Sequence, residues 1–337
     1  MFISAAKPYA WKLNLIDRPA GRKQHDGDVP IIGGLAIYCA FFLGTTLEFG
    51  LFESYAVLLA VMGFLVMIGM VDDAIDLSPT IKIAAQLLAA ISMLTFGNVP
   101  PISGEFGPLL GNFGLLAGSL FTVFLILLTI NAINMVDGVD GLSGGLVTVS
   151  LAWLGVAAAL NGSQETFTIA VRLMVPVIAF LAFNLRAPWR KQASVFMGDA
   201  GTMMLGCAIA WLCLELVGQN VPLLACGLVV AIPVADTISL FFRRVFAGKN
   251  PFHADRQHLH HLLLAAGVDA AVVPILLISV AAVLGGVGII GSYLHLSEYV
   301  FAVVWLLVFV GHAIAVSVLC HRAANSSIVV PSAETVR

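Results

Sequence analysis

Residues 113–142 read FGLLAGSLFTVFLILLTINAINMVDGVDGL. The first two thirds form an apolar run long enough to cross a hydrocarbon core, which takes about 20 residues of helix. The last third sets Asn131, Asn134, Asp137 and Asp140 beside Gly138 and Gly141, and a second apolar run follows at once. Polar and ionisable groups at a bilayer edge are costly and persist where something needs them. Asp-Gly is ordinary turn chemistry, but two such pairs flanked by two Asn exceed what a turn requires. The i, i+3, i+6 spacing of Asn134, Asp137 and Asp140 predicts one shared helix face if the helix continues or restarts after Gly138.

The rest of the chain repeats this alternation. Hydrophobic residues make up 60% and charged residues 10%, with a mean hydropathy of +1.02. Soluble globular domains carry about 25% charged residues, so the composition excludes that class. Apolar segments near 31–51, 54–71, 81–97, 113–134, 142–160, 166–184, 201–218, 222–242, 270–292 and 297–319 predict an all-α polytopic membrane protein with about ten transmembrane helices. The expected organisation is a cytoplasmic N-terminal segment over 1–30, a single transmembrane domain over 31–320, and a disordered cytoplasmic tail over 321–337.

Charge orients the bundle. With both termini cytoplasmic, fifteen of the sixteen Lys and Arg fall on the inner side, as the positive-inside rule requires. The exception is Arg172, inside the sixth segment, where its long stem can snorkel outward. The inner side also gathers Asp72, Asp73, Asp76, Asp137, Asp140 and Asp199, with His25, His253, His258, His260 and His261, while the outer loops hold Glu and no Asp. Asp236 stands apart, within the eighth segment, and His295, His312 and His321 are isolated and receive no role.

Each inner cluster admits a structural and a chemical reading. Asp72 and Asp73 end the second segment as a solvated helix end, or bind a divalent cation or accept a proton. Asp199, in FMGDAG, caps the following helix or serves as a hard-cation ligand. Mg²⁺ suits such a place, since it takes one or two carboxylates plus substrate phosphate oxygens. His258, His260 and His261 have no nearby Cys to suggest zinc; with Arg256 they suit anion binding and phosphate protonation. Gly33 and Gly34 permit close backbone approach to a ligand or close helix packing. Lys82 can reach a phosphate or anchor its helix. Carboxylates for Mg²⁺ and basic groups for anionic oxygens, all on one membrane face, fit a phosphate-bearing soluble substrate and a lipid co-substrate.

Five motifs, RKQHDGDVPIIGG (22–34), VDDAIDL (71–77), NAINMVDGVDGL (131–142), FMGDAG (196–201) and DRQHLHH (255–261), resemble those of the polyprenyl-phosphate N-acetylhexosamine-1-phosphate transferase family. The closer likeness is to its WecA-type branch, which moves GlcNAc-1-phosphate from UDP-GlcNAc to undecaprenyl phosphate in the bacterial cytoplasmic (inner) membrane. The resemblance spans about Asp17 to Cys320. It implies catalytic roles for Asp72, Asp73, Asp137, Asp140, His258, His260 and His261, and Mg²⁺ (or Mn²⁺) on Asp199 and Asp73. It also implies substrate contacts at Lys82, Asn134, Arg256, His25, Gly33 and Gly34. Members of this branch carry a further spanning helix ahead of the Asp17 region; sixteen residues precede it here, and that helix goes unmatched.

The expected partners are a UDP-N-acetylhexosamine, undecaprenyl phosphate and membrane lipids, with no nucleic acid, and a homodimer is left open. The expected product is the lipid-linked first sugar of a cell-surface polysaccharide such as O antigen. UDP-FucNAc and UDP-QuiNAc are alternative donors. An ion-coupled transporter is the rival of another class; it predicts charges near the midplane and polar positions facing both sides.

Overall fold

Inside a hydrocarbon core the backbone has no water to bond, so each apolar run closes its own hydrogen bonds as a helix. The computed structural model describes residues 2–18, 27–102, 111–186, 190, 192–248 and 257–325. Its helices are α1 Phe2–Lys12, α2 Gly33–Thr46, α3 Phe49–Ile75, α4 Pro79–Phe96, α5 Gly114–Met135, α6 Leu142–Leu160 and α7 Gln164–Asn184. They continue with α8 Gly198–Gly218, α9 Leu223–Gly227, α10 Ala231–Phe246, α11 Leu259–Ala265, α12 Val272–Tyr293 and α13 Glu298–Asn325. Among the described residues nine helical spans are long and apolar enough to cross a membrane, with α2 a shorter apolar helix beside them. This is a multi-pass, all-α membrane protein.

Four details depart from the sequence expectation. The first apolar segment yields only the 14 residues of α2, about 21 Å of helix at 1.5 Å per residue. The eighth segment is broken by a 3₁₀ turn at Leu228–Val230 between α9 and α10. The described part of the N-terminal segment carries elements the hydropathy reading did not include, the helix α1 and a two-stranded antiparallel ladder pairing Ile16–Asp17 (β1) with Val29–Pro30 (β2). Helix α13 runs on to Asn325, so part of the expected tail is helical; 326–337 lie outside the described residues.

Helix α8 is the hub, buried along most of its length, whereas α13 is exposed along most of its own. It packs against α3 and α5. Its N-terminal turn admits its neighbours almost to backbone contact. A Cβ on Gly34 of α2 would stand 2.2 Å from Gly201 N, and one on Gly69 of α3 would stand 2.3 Å from the Ala200 backbone. Small residues drive such packing in membranes, where apolar side chains have no advantage over lipid. Gly33 and Gly34 are both buried, and their amides donate to Phe196 O and Met197 O, each at 3.0 Å. Of the two readings left open for this pair, close packing is the one realised. A Cβ on Gly33 would meet the Phe180 ring and Phe196 O, and one on Gly34 the Gly201 backbone, so packing accounts for both glycines.

Arg172 does turn away from the polar end. It donates to Gly44 O at 2.9 Å, satisfying a carbonyl in the last turn of α2, and pairs with Glu48.

Candidate active site

The polar end of the bundle is assembled from three helix ends and one turn. Asp72 and Asp73 end α3, Lys82 and Gln86 open α4, and Asp199 and Thr202 open α8. Between α5 and α6 the helix does not continue. It stops at Met135 and restarts at Leu142, with Gly141 at φ +82° as the N-cap. Asn134, Asp137 and Asp140 therefore do not share a helix face, contrary to the spacing argument. The turn aims them at different partners.

Asn134 Nδ2 donates to Asp199 Oδ1 at 2.9 Å and to Thr202 Oγ1 at 2.8 Å. Lys82 Nζ donates to Asp72 Oδ2 at 2.9 Å and to Asp199 Oδ2 at 3.2 Å. Asp72 is buried, and its Oδ1 also accepts Leu77 N at 2.7 Å, closing the end of α3. Asp73 accepts Asp199 N at 2.9 Å and Ala200 N at 3.3 Å. A carboxylate on the free amides of a helix N-terminus is favoured by hydrogen bonding and by the helix dipole. The cap expected of Asp199 is thus supplied from another helix by Asp73, which leaves the Asp199 carboxylate facing the site.

Asp140 is committed elsewhere. Its Oδ2 accepts Arg186 Nε at 2.9 Å and Ala193 N at 3.0 Å, tying the α5–α6 turn to the segment that leads into α8. Asn184 reinforces that tie, accepting Gly141 N at 2.7 Å and donating to Val195 O at 3.0 Å. Asn131 pairs with Gln86 (2.6 Å) below the site.

Asp137 accepts no hydrogen bond from a described side chain, and it is open to solvent. It nonetheless sits deep among helix ends. The residue reaches solvent along one side, but its carboxyl is crowded by protein; that desolvation first, then the charges of Asp199 and Asp140, pushes it up to about 7. Among the described residues Asp72, Asp73, Asp137 and Asp199 have one basic side chain within ion-pair reach, Lys82. No three acidic, His or Cys groups among the described residues form a ready-made metal cage.

The histidine motif closes one side. His258 and His260 are buried, with rings stacked at 5.7 Å, and His261 lies 4.2 Å from His260. Burial, with His261 and His258 as neighbours, lowers His260 to about 3, so it enters as a neutral ring and not as a cation for phosphate. A Cβ on Gly138 would come 2.4 Å from His260 Nε2; the bare glycine lets the histidine motif rest on the turn that carries Asp137. His25 and Arg256 lie outside the described residues.

Motifs separated by more than a hundred residues thus meet at one end of the bundle, in the order and identity of a known family. The family model described as glycosyl transferase family 4 matches residues 54–217. A Haemophilus influenzae protein named undecaprenyl-phosphate alpha-N-acetylglucosaminyl 1-phosphate transferase is 36% identical over 309 residues, covering 90% of this chain and 86% of the relative. The chain belongs to glycosyl transferase family 4. Relatives of the same name from Escherichia coli K12 (34% over 322 residues, 92% and 85% covered) and Pasteurella multocida (34% over 309 residues, 90% and 86% covered) agree with this. Family membership extends across the polar end: the aligned length takes in far more of the chain than the 54–217 core.

Sequence reasoning missed Asn184, Arg186, Thr202 and Gln86, which hold the site's backbone and side chains in place. Their signal was present, as polar residues at the site-facing ends of apolar runs. It also left Asp236 and His312 without a role, although both are buried and mutually bonded.

Proposed function

We propose that this member of glycosyl transferase family 4 transfers GlcNAc-1-phosphate from UDP-GlcNAc to undecaprenyl phosphate, releasing UMP at the cytoplasmic side of the bacterial inner membrane. The observation that carries the reading is the convergence of Asp72, Lys82, Asn134, Asp137 and Asp199 at one end of the bundle, in a chain 34–36% identical to proteins named for this reaction. The transporter alternative loses support, because the polar groups gather at that end and no relative named above is a transporter.

Two anions must meet in this reaction, in a site where carboxylates outnumber the cations that reach them. The residues fit a divalent cation. Asp199 offers a carboxylate not used as a cap, and Asp137 offers one with no hydrogen-bond donor among the described residues, both hard oxygens of the kind Mg²⁺ takes alongside substrate phosphate and water. A bound Mg²⁺ neutralises charge on the pyrophosphate and on the developing leaving group. Asp137 thus replaces Asp73 as the second proposed ligand, since Asp73 holds the α8 amides.

Asn134 orients Asp199, and Lys82 bridges Asp72 and Asp199, within reach of an incoming phosphate. Val71, Ile75 and Ile81 are exposed apolar residues next to Asp72 in sequence or across its loop, a surface fit for a polyprenyl chain. A phosphate monoester has its second pKa at about 6, so the acceptor is largely dianionic at neutral pH. Positioning and charge neutralisation outweigh base catalysis here.

The test is purified protein with UDP-GlcNAc, undecaprenyl phosphate and MgCl₂. UMP release requiring all three supports the reading; no release from folded protein refutes it. UDP-FucNAc and UDP-QuiNAc run side by side decide the donor.

Asp137 supplies a pH prediction. Its folded pKa is raised, so the stability this group contributes is fully present below about 4 and is lost as pH rises through about 7. Without divalent cation, Asp137→Asn is expected to raise Tm at pH 8 and leave it unchanged at pH 4. Adding MgCl₂ at pH 8 should favour the wild type instead. Thermal melts of both proteins check this, and equal Tm values at pH 8 would count against a strained, metal-ready carboxylate.

A further inference from the structure

Beneath the histidine motif lies a carboxylate that the reaction as described does not use. Asp236 sits on α10 and is 2% exposed. Its Oδ2 meets His258 Nδ1 at 2.8 Å, and its Oδ1 meets Leu259 N at 2.9 Å and His312 Nε2 at 3.1 Å. Helix α10, the start of α11 and the middle of α13 are therefore joined on one side chain. An acidic group buried in a membrane protein is expensive and is retained for function or for a partner.

An ionised carboxylate only accepts. Both imidazoles then carry hydrogen on the nitrogen that faces Asp236. For His258 this fixes the ring orientation and leaves Nε2 as the edge with no partner among the described residues. For His312 it leaves Nδ1 as a buried acceptor with no partner among the described residues. An orphaned buried nitrogen is a cost, which a side chain present only for packing could avoid by being a hydrocarbon. From His258 the contact runs on: its ring stacks on His260, and His260 rests on Gly138 beside Asp137.

The geometry points to Asp236 and His312 as positioning residues for phosphoglycosyl transfer: Asp236 holds His258 with its Nε2 edge free to accept a hydrogen bond from the donor substrate, and His312 holds Asp236. The carboxylate behind the ring fixes its orientation and tautomer, as buried carboxylates do behind other catalytic imidazoles. This assignment rests on the transferase reading above.

The experiment compares purified full-length wild type with Asp236→Asn, His312→Gln and His312→Ala, measuring kcat and KM for UDP-GlcNAc together with Tm. Asn in place of Asp236 presents an N–H where an acceptor stood, so His258 is expected to lose its fixed tautomer. A fall of about 100-fold in kcat with KM and Tm held is the expected result, on the scale of lost support behind a catalytic group. His312→Gln keeps an N–H for Asp236 and should retain activity, whereas His312→Ala should lose roughly ten-fold in kcat.

Wild-type kcat in Asp236→Asn, or His312→Gln no better than His312→Ala, overturns the proposal. So does a loss that only tracks the folded fraction. If Asp236→Asn does not fold, the two His312 variants decide; if none folds, the residues are structural and the proposal falls. Wild-type protein that releases no UMP refutes the transferase reading itself, whereas active wild type with an unaffected Asp236→Asn refutes only the positioning role.

Discussion

Asp199→Asn is expected to reduce kcat by about 1,000-fold, the scale of removing a principal electrostatic contact from a transition state. The substitution keeps the shape of the side chain and removes its charge. Lys82 retains Asp72 as a partner at 2.9 Å, and the cap on α8 comes from Asp73 through the Asp199 amide, which the variant keeps. The fold should therefore survive, with Tm close to that of the wild type. The loss falls on the carboxylate that Asn134 and Lys82 orient toward the site. UMP release measured across a MgCl₂ titration checks it: activity should stay low at ordinary Mg²⁺. Wild-type turnover there would remove the proposed metal role from Asp199.

Gly34→Ala is expected to cost about 3 kcal/mol of stability, the upper range for forcing a methyl group into a packed interior. The new Cβ would meet Gly201 N at 2.2 Å and Gly201 Cα at 2.4 Å. These are backbone atoms of the hub helix and cannot rotate aside as a side chain would. Relief comes only by separating α2 from the first turn of α8, which carries Asp199 along. Melting in detergent should show a clear drop in Tm, with activity lost in proportion to the displaced site. Gly44→Ala is the control, because nothing lies within 4 Å of a Cβ there, and Ala is favoured over Gly in a helix by about 1 kcal/mol. If Gly34 instead touched substrate, as the motif resemblance suggested, Tm would hold and KM would rise.

These two variants also mark where sequence reasoning reached and where it stopped. Hydropathy located the spanning runs because a bilayer demands uninterrupted apolar length, a property of consecutive residues. It could not foresee that the first run would shorten to α2 or that Leu228–Val230 would break the eighth, since neighbouring helices decide those points. In the same way FMGDAG was legible as cap or ligand, yet the choice turned on Asp73, a residue 126 positions earlier. The shared face of Asn134, Asp137 and Asp140 depended on the helix continuing or restarting after Gly138, and Gly141 at positive φ instead marks a turn that runs to Leu142.

By itself, then, the sequence determined the class of protein and the family, since composition, hydropathy and short motifs are local properties of a chain. Tertiary structure alone decided the division of labour among like residues. Asp73 caps α8, Asp140 binds Arg186, Asp236 anchors His258 and His312, and Asp137 is left open. The physical reason is that a carboxylate's role is set by the donors that reach it, and here those donors arrive from helices distant in the chain.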